Sequence, residues 1–120
     1  MPPEFELGPE DRRRLSHMLK SAIDARTILG QSHAQDLQDD MVRTRALVNW
    51  FTEIGEAASR VSPSLRAHVP DVPWRDIVGM RNTVVHVYWG IDLHELVKTT
   101  RDDLPPLITA LRKTLGQPDD

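Results

Sequence analysis

Apolar residues recur at three- and four-residue spacing along most of the chain. Leu15, Met18, Leu19, Ala22, Ile23 and Leu29 form the first stripe, the mark of a helix that buries one face. Pro9 fits the start of that helix, where its missing N–H costs nothing, and Gly30 fits the stop just past its end. QSHAQDLQDD, residues 31–40, is polar and reads as a connection with one short turn. A second helix runs from about Asp40 to about Val61, with the stripe Leu47, Trp50, Phe51, Ile54, Ala57, Ala58 and Val61. In VSPSLRAHVPDVP, Pro63, Pro70 and Pro73 leave room only for a short helix over 63–68. Pro73 opens a third long helix, whose stripe Trp74, Ile77, Val78, Val84 and Val85 leads to a stop at Gly90. Asp92 starts the last helix, with Glu95 three residues on in a box-like arrangement. Its stripe begins at Leu93, Leu96 and Val97 and continues through Leu104, Leu107, Ile108 and Leu111. Pro105 and Pro106 must kink or break it, because Pro105 removes a ladder bond.

Few segments alternate with a period of two. VVHVYW, residues 84–89, has strand propensity but continues a helical stripe. The pattern predicts an all-α protein: an up-and-down bundle of four long helices and one short one. The chain of 120 residues is one domain on length, with 1–8 and 116–120 as loosely ordered tails. Folding at this size hides roughly two thirds of the unfolded surface, enough for a core.

Composition narrows the chemistry. There is no cysteine, which excludes a disulfide scaffold, a thiolate metal site and a Cys nucleophile. The net charge is −3, so the chain is not a bulk polycation, and any nucleic-acid binding must come from a local patch. Twelve of the fifteen basic residues are Arg, which grips phosphate bidentately where Lys acts as a point charge. No apolar run approaches the ~18 residues of a membrane span. The acidic, proline-containing start MPPEFELGPEDRRR is unlike a signal peptide, so the cytoplasm is the expected compartment.

The densest cluster of unusual residues is RNTVVHVYWGID, residues 81–92. On an ideal helix Asn82 and His86 are i,i+4 and face one way. Gly79, Asn82, His86 and Trp89 then make a small polar stripe beside the apolar one. Arg81 lies about 140° around the axis from His86 and ~7.5 Å along it, so only its long side chain brings both groups to one phosphate. A second subunit presenting the same helix makes that easier, which predicts a homodimer with this stripe at a two-fold interface. An Arg and a His at one phosphate suffice to cleave RNA. A neutral imidazole takes the 2′-OH proton, and the oxygen attacks the adjacent phosphorus. A guanidinium holds the non-bridging oxygens and stabilises the growing charge. No metal is required.

The same residues carry a family likeness. RNTVVHVYWGID resembles the Arg–polar–x3–His–x–Tyr signature of the HEPN superfamily in its HepT-like branch. The flanking IGEAASRVSPSLRAHVPDVPWRDIVGMRN and the later DDLPPL are similar to the segments that surround it there. The ordered set spans about residues 11 to 115. The resemblance implies a small helical bundle that dimerises so that two Arg–His pairs face one cleft, acting as a metal-independent endoribonuclease toxin. It implies RNA as substrate and, as partner, a minimal nucleotidyltransferase antitoxin of the MNT type, in a type VII toxin–antitoxin pair. Carried onto this chain, Arg81 binds phosphate, His86 is base or acid, Asn82 supports them, and Tyr88 is the site where the partner attaches AMP. The alternative is a non-catalytic HEPN module that docks such a partner; a module of that kind is expected to lack the Arg–His pair, which is present here.

The remaining candidates read as structure. Trp50, Phe51 and Trp74 lie on apolar stripes, and Gly55, Ala57 and Ala58 make a narrow ridge for close helix approach. Trp89 either closes a helix end or stacks on a base. Glu53 and Glu56 read as surface charge. His17, His33, His68 and His94 lack metal-ligand spacing, so neither a metal nor a cofactor is expected. Arg12, Arg13 and Arg14 sit at a helix start, a poor place for positive charge, as phosphate contacts or as a solvated face.

Overall fold

A computed structural model of the chain describes residues 5–82 and 92–118. It is 79% helical, with no strand among the described residues, so the protein is all-α. The helices are α1 (Pro9–Leu29), α2 (Ala34–Gln38), α3 (Met41–Ser59), α4 (Pro63–His68), α5 (Trp74–Gly79), α6 (Leu93–Lys98) and α7 (Leu104–Leu115). A 3-10 turn, Met80–Asn82, follows α5, and a π turn, Thr99–Asp103, joins α6 to α7.

The core forms where three apolar stripes meet. Leu15, Met18, Ala22, Ala25 and Leu29 of α1 are buried against Leu47, Phe51, Ile54 and Ala58 of α3. Leu104, Leu107, Ile108, Leu111 and Leu115 of α7 close the other side of α1. Truncating a fully buried Leu at such a seam costs about 2–5 kcal/mol. Phe51 and Trp74 are core residues as expected, and Trp50 is half-buried against the cluster. Phe5 and Leu7, expected in a loose lead-in, also pack on the core, with the Phe5 ring stacked 4.1 Å from that of His68.

Polar ties fix how α1 lies against its neighbours. Near one end Arg43 of α3 donates to the Ile28 and Leu29 carbonyls that close α1. Near the other, Asp11 accepts from the Ser62 N–H at 2.9 Å and from its hydroxyl at 2.5 Å. Ser62 Oγ in turn caps α4 through the Leu65 N–H at 3.2 Å. The α1 and α3 axes are therefore antiparallel. Arg12 donates to the Leu115 carbonyl at 3.5 Å and Arg101 to the Gly30 carbonyl at 3.1 Å, so α7 is antiparallel to α1 as well.

Most helix ends follow their local chemistry. Gly30 turns to φ 53° and Gly116 to φ 73°, conformations that glycine adopts without a Cβ penalty. The Asp40 and Asp92 side chains cap α3 and α6 through the N–H groups three residues on. Two details go beyond the periodic reading. The third helix is α-helical only to Gly79 and tightens to 3-10 at Met80; its expected course from residue 83 to the Gly90 stop lies outside the described residues. The proline pair interrupts the regular ladder of the last helix, as expected, and the structure adds how. Pro105 and Pro106 lack the donors that would serve the 101 and 102 carbonyls, and the chain absorbs the loss in one wide turn, where the Leu104 N–H reaches back to the Thr99 carbonyl. Both prolines then occupy the first turn of α7, where their lack of a donor is harmless.

Candidate active site

Arg81 owes its position to a glycine on another helix. A Cβ built on Gly55 of α3 would stand 2.7 Å from the Arg81 backbone nitrogen, 2.8 Å from Arg81 Cβ and 2.8 Å from the Val78 carbonyl oxygen. No real Cβ tolerates such contacts, so α5 and its 3-10 extension pass α3 backbone to backbone at this point. Ala57 and Ala58, both buried, continue the small-residue ridge. Met80, also buried, pins the 3-10 turn from the inside, and that leaves Arg81 facing outward and Asn82 exposed beside it.

The next residue on α3 then meets the Arg81 side chain. Arg81 Nη1 donates to Glu56 Oε1 at 3.0 Å, with 40% of the arginine side chain and 49% of the glutamate side chain exposed. An exposed pair of this kind contributes only about 0–1 kcal/mol to stability. Its effect is geometric: it fixes one edge of the guanidinium, and among the described residues the other donors of the fork have no partner.

Glu56 is the residue the sequence reading placed elsewhere, as surface charge. Its neighbour Glu53 is also engaged, by His17 Nε2 at 3.5 Å and by the Asn49 amide at 3.4 Å. Asn49, Glu53 and Glu56 follow one another at four- and three-residue steps and form a polar edge along α3 that ends at Arg81. The available signal was Gly55 itself. A glycine inside a helix costs about 1 kcal/mol against alanine, which flags a close approach, and the residue after it stands beside whatever approaches.

The other basic candidates are spoken for. Arg13 and Arg14 both pair with Glu10 within the first turns of α1, which offsets their unfavourable place near its N-terminus. Arg12 reaches the Leu115 carbonyl. No group of three or more His, Asp or Glu residues able to hold a metal ion exists among the described residues. On the far side of the 3-10 turn lies a 380 Å³ cavity lined by Gly79 and Met80 and by the carboxylates Asp71, Asp76, Glu95 and Asp103. His86, Tyr88 and Trp89 lie outside the described residues.

Comparison with known proteins decides the family. The profile described as "Ribonuclease HepT-like" matches residues 18–114. The chain belongs to the HepT-like family of the HEPN superfamily. The match takes in α3, the Gly55 contact and every residue from Arg81 to Tyr88. Among curated relatives, "Putative RNase MJ1380" of Methanocaldococcus jannaschii is 35% identical over 71 residues, 59% of this chain and 64% of that protein. "Probable ribonuclease HepT" of Thermococcus cleftensis is 32% identical over 73 residues, covering 61% and 66% of the two chains. "Putative RNase TTE0752" of Caldanaerobacter subterraneus subsp. tengcongensis is 32% identical over 81 residues, covering 68% and 72%. The matches thus span just under two thirds of the first two relatives. No solved structure matches the chain. No helix among the described residues is long and apolar enough to cross a membrane.

Proposed function

We propose that this HepT-like protein is a metal-independent endoribonuclease in which Arg81 and His86 act on one phosphate of an RNA strand. The observation that supports this most directly is the presentation of Arg81. Its backbone is locked against Gly55, its guanidinium is oriented by Glu56, and its side chain is open to solvent. A half-exposed, pre-oriented guanidinium is what a phosphate requires, because little ordering remains to be done on binding.

The reaction needs two proton transfers and one displacement. The His86 imidazole accepts the 2′-OH proton as the 2′-oxygen attacks phosphorus. The P–O5′ bond breaks, and a second acid, such as the imidazolium of a partner subunit, protonates the 5′-oxygen. The products are a 2′,3′-cyclic phosphate and a 5′-hydroxyl. Arg81 stabilises the charge that builds on the non-bridging oxygens. Glu56 acts as a positioning residue for that guanidinium, and Asn82, exposed beside it, supports the same phosphate. Two copies facing each other supply a base and an acid, so the working form is a homodimer.

Family membership supports the rest of the reading. A nucleotidyltransferase antitoxin transfers AMP to the Tyr88 hydroxyl, which places a phosphodiester anion and a nucleoside where RNA must lie. The test is cleavage of end-labelled RNA in EDTA. Cyclic-phosphate ends made by the wild type and by neither Arg81→Ala nor His86→Ala support the proposal; cleavage that survives His86→Ala, or that needs a divalent ion, refutes it. Mass spectrometry after co-expression with the antitoxin tests the regulation, since AMP should be added to the wild type and not to Tyr88→Phe.

A further inference from the structure

A second cationic feature lies well away from Arg81. A cavity of about 580 Å³ opens between the C-terminal third of α1, the turn that follows it, the π turn and α7. Arg26, Arg101 and Arg112 stand around it, with Thr27 on the wall and Ile23 and Ile108 as apolar floor. No Asp or Glu is among its described lining residues. In a chain whose net charge is −3, a concavity with arginines on its rim and no described carboxylate in its lining favours an anion.

Arg101 and Arg26 differ in how they are held at this cavity. Arg101 donates through Nη2 to the Gly30 and Ser32 carbonyls at 3.1 and 2.9 Å, which ties the π turn to the end of α1. That arrangement uses one nitrogen of the fork and holds the guanidinium in place at the cavity. Arg26, one turn before the end of α1, is exposed and has neither a carboxylate nor a carbonyl partner among the described residues. The π turn forced by Pro105 and Pro106 is what sets Arg101 opposite Arg26, and such single wide turns frequently mark functional sites.

We propose that this cavity binds the phosphate of a nucleotide unit, with Arg26 and Arg101 as its principal contacts. Guanidinium forks match phosphate oxygens, and the volume falls within the range of small-ligand sites. The apolar floor formed by Ile23 and Ile108 suits a base or ribose face. The nucleotide unit has two sources: an RNA strand whose scissile phosphate lies at Arg81, or a free nucleotide. The RNA source rests on the ribonuclease reading above. From Arg43, at the cavity end of α3, to Glu56, beside Arg81, the helix rises about 20 Å. An oligonucleotide can span that distance, and a dinucleotide cannot.

The probes are a fluorescent twelve-nucleotide RNA, made non-cleavable by 2′-O-methylation, and AMP, each titrated against the full chain. Arg26→Glu should weaken oligonucleotide binding at least about tenfold and flatten its salt dependence by about 0.7 in log–log slope per lost phosphate contact. Arg26→Gln should do so more mildly. Cleavage of a dinucleotide by Arg26→Glu should equal that of the wild type. This result assigns the cavity to the RNA strand. If AMP saturates the wild type but not Arg26→Glu, while the oligonucleotide binds both equally, the cavity belongs to free nucleotides. Equal binding of both probes to wild type and Arg26→Glu overturns the proposal, as does a wild type that binds neither. Arg26-dependent binding in a protein that cleaves no RNA leaves the cavity standing and refutes the ribonuclease reading alone.

Discussion

Arg43, in the first turn of α3, and Arg81, beside the last turns of the same helix, are held in opposite ways. Arg43 is saturated. Its guanidinium donates to the Ile28 carbonyl twice, at 3.2 and 2.6 Å, to the Leu29 carbonyl at 3.0 Å and to the Ser32 hydroxyl at 2.5 Å. Asp40 stands 3.9 Å from its Nε. It serves carbonyls that the end of α1 leaves without helical partners, and its side chain is only 28% exposed. Arg81 has Glu56, and 40% of its side chain faces solvent. The same residue type is thus spent on structure at one end and kept available at the other. Availability, more than the mere presence of an arginine, separates a candidate catalytic group from a structural one.

Substitutions can break or sharpen that contrast. Arg81→Ala should lower RNA cleavage by at least about a thousandfold, or about 4 kcal/mol of transition-state stabilisation, with an unchanged melting temperature. A large loss of thermal stability would show instead that Arg81 is structural. Arg43→Ala should do the reverse. It leaves the Ile28 carbonyl unserved and removes the tie to Leu29 and Ser32, and should cost about 3 kcal/mol of unfolding free energy, read by urea titration, with the turnover of the folded fraction preserved.

Gly55→Ala should fall between the two. The alanine gains about 1 kcal/mol of helix propensity but forces its methyl against the Arg81 nitrogen and Cβ and the Val78 carbonyl oxygen at 2.7–2.8 Å, an overpacking penalty of about 1–3 kcal/mol. Because the atoms displaced are those of Arg81 and Val78, cleavage should drop more than stability does. Turnover that stays at wild-type level would show that Arg81 needs no such placement. The smallest effect belongs to Glu56→Gln, which keeps an acceptor and removes the charge. Stability should change by less than about 1 kcal/mol, while the Michaelis constant for RNA shifts severalfold and kcat changes less. An effect on stability alone would remove Glu56 from the site.

What the sequence disclosed and what it hid divide along a physical line. Helical periodicity, caps and breakers are local, so Pro9, Gly30, Asp40, Pro63 and Asp92 marked their helix ends in advance. The 63–68 helix and the core roles of Phe51 and Trp74 followed from the same signals. The Arg81–Glu56 pair joins residues 25 positions apart, and the Arg26–Arg101 cavity joins residues still more distant. Neither exists until the helices cross, and no stripe encodes where they cross. The switch to 3-10 geometry at Met80 was hidden for the same reason, since the contact at Gly55 is tertiary. The wide turn at Thr99–Asp103 was half visible: the missing donors of Pro105 and Pro106 required an accommodation without specifying its form.

The Asp11–Ser62 tie bears on the order in which the chain acquires structure. A helix of six residues such as α4 lies far below the length at which a helix persists alone in water. Its cap, Ser62, is held by a carboxylate 51 positions earlier in the chain. Closing so long a loop is slow compared with forming a single turn. The cap of α4 therefore depends on the first turn of α1, and fraying of that turn takes away what holds Ser62 in place. Hydrogen-exchange protection of the Leu65 and Arg66 amides would then report the docking of α1, an element that neither residue belongs to.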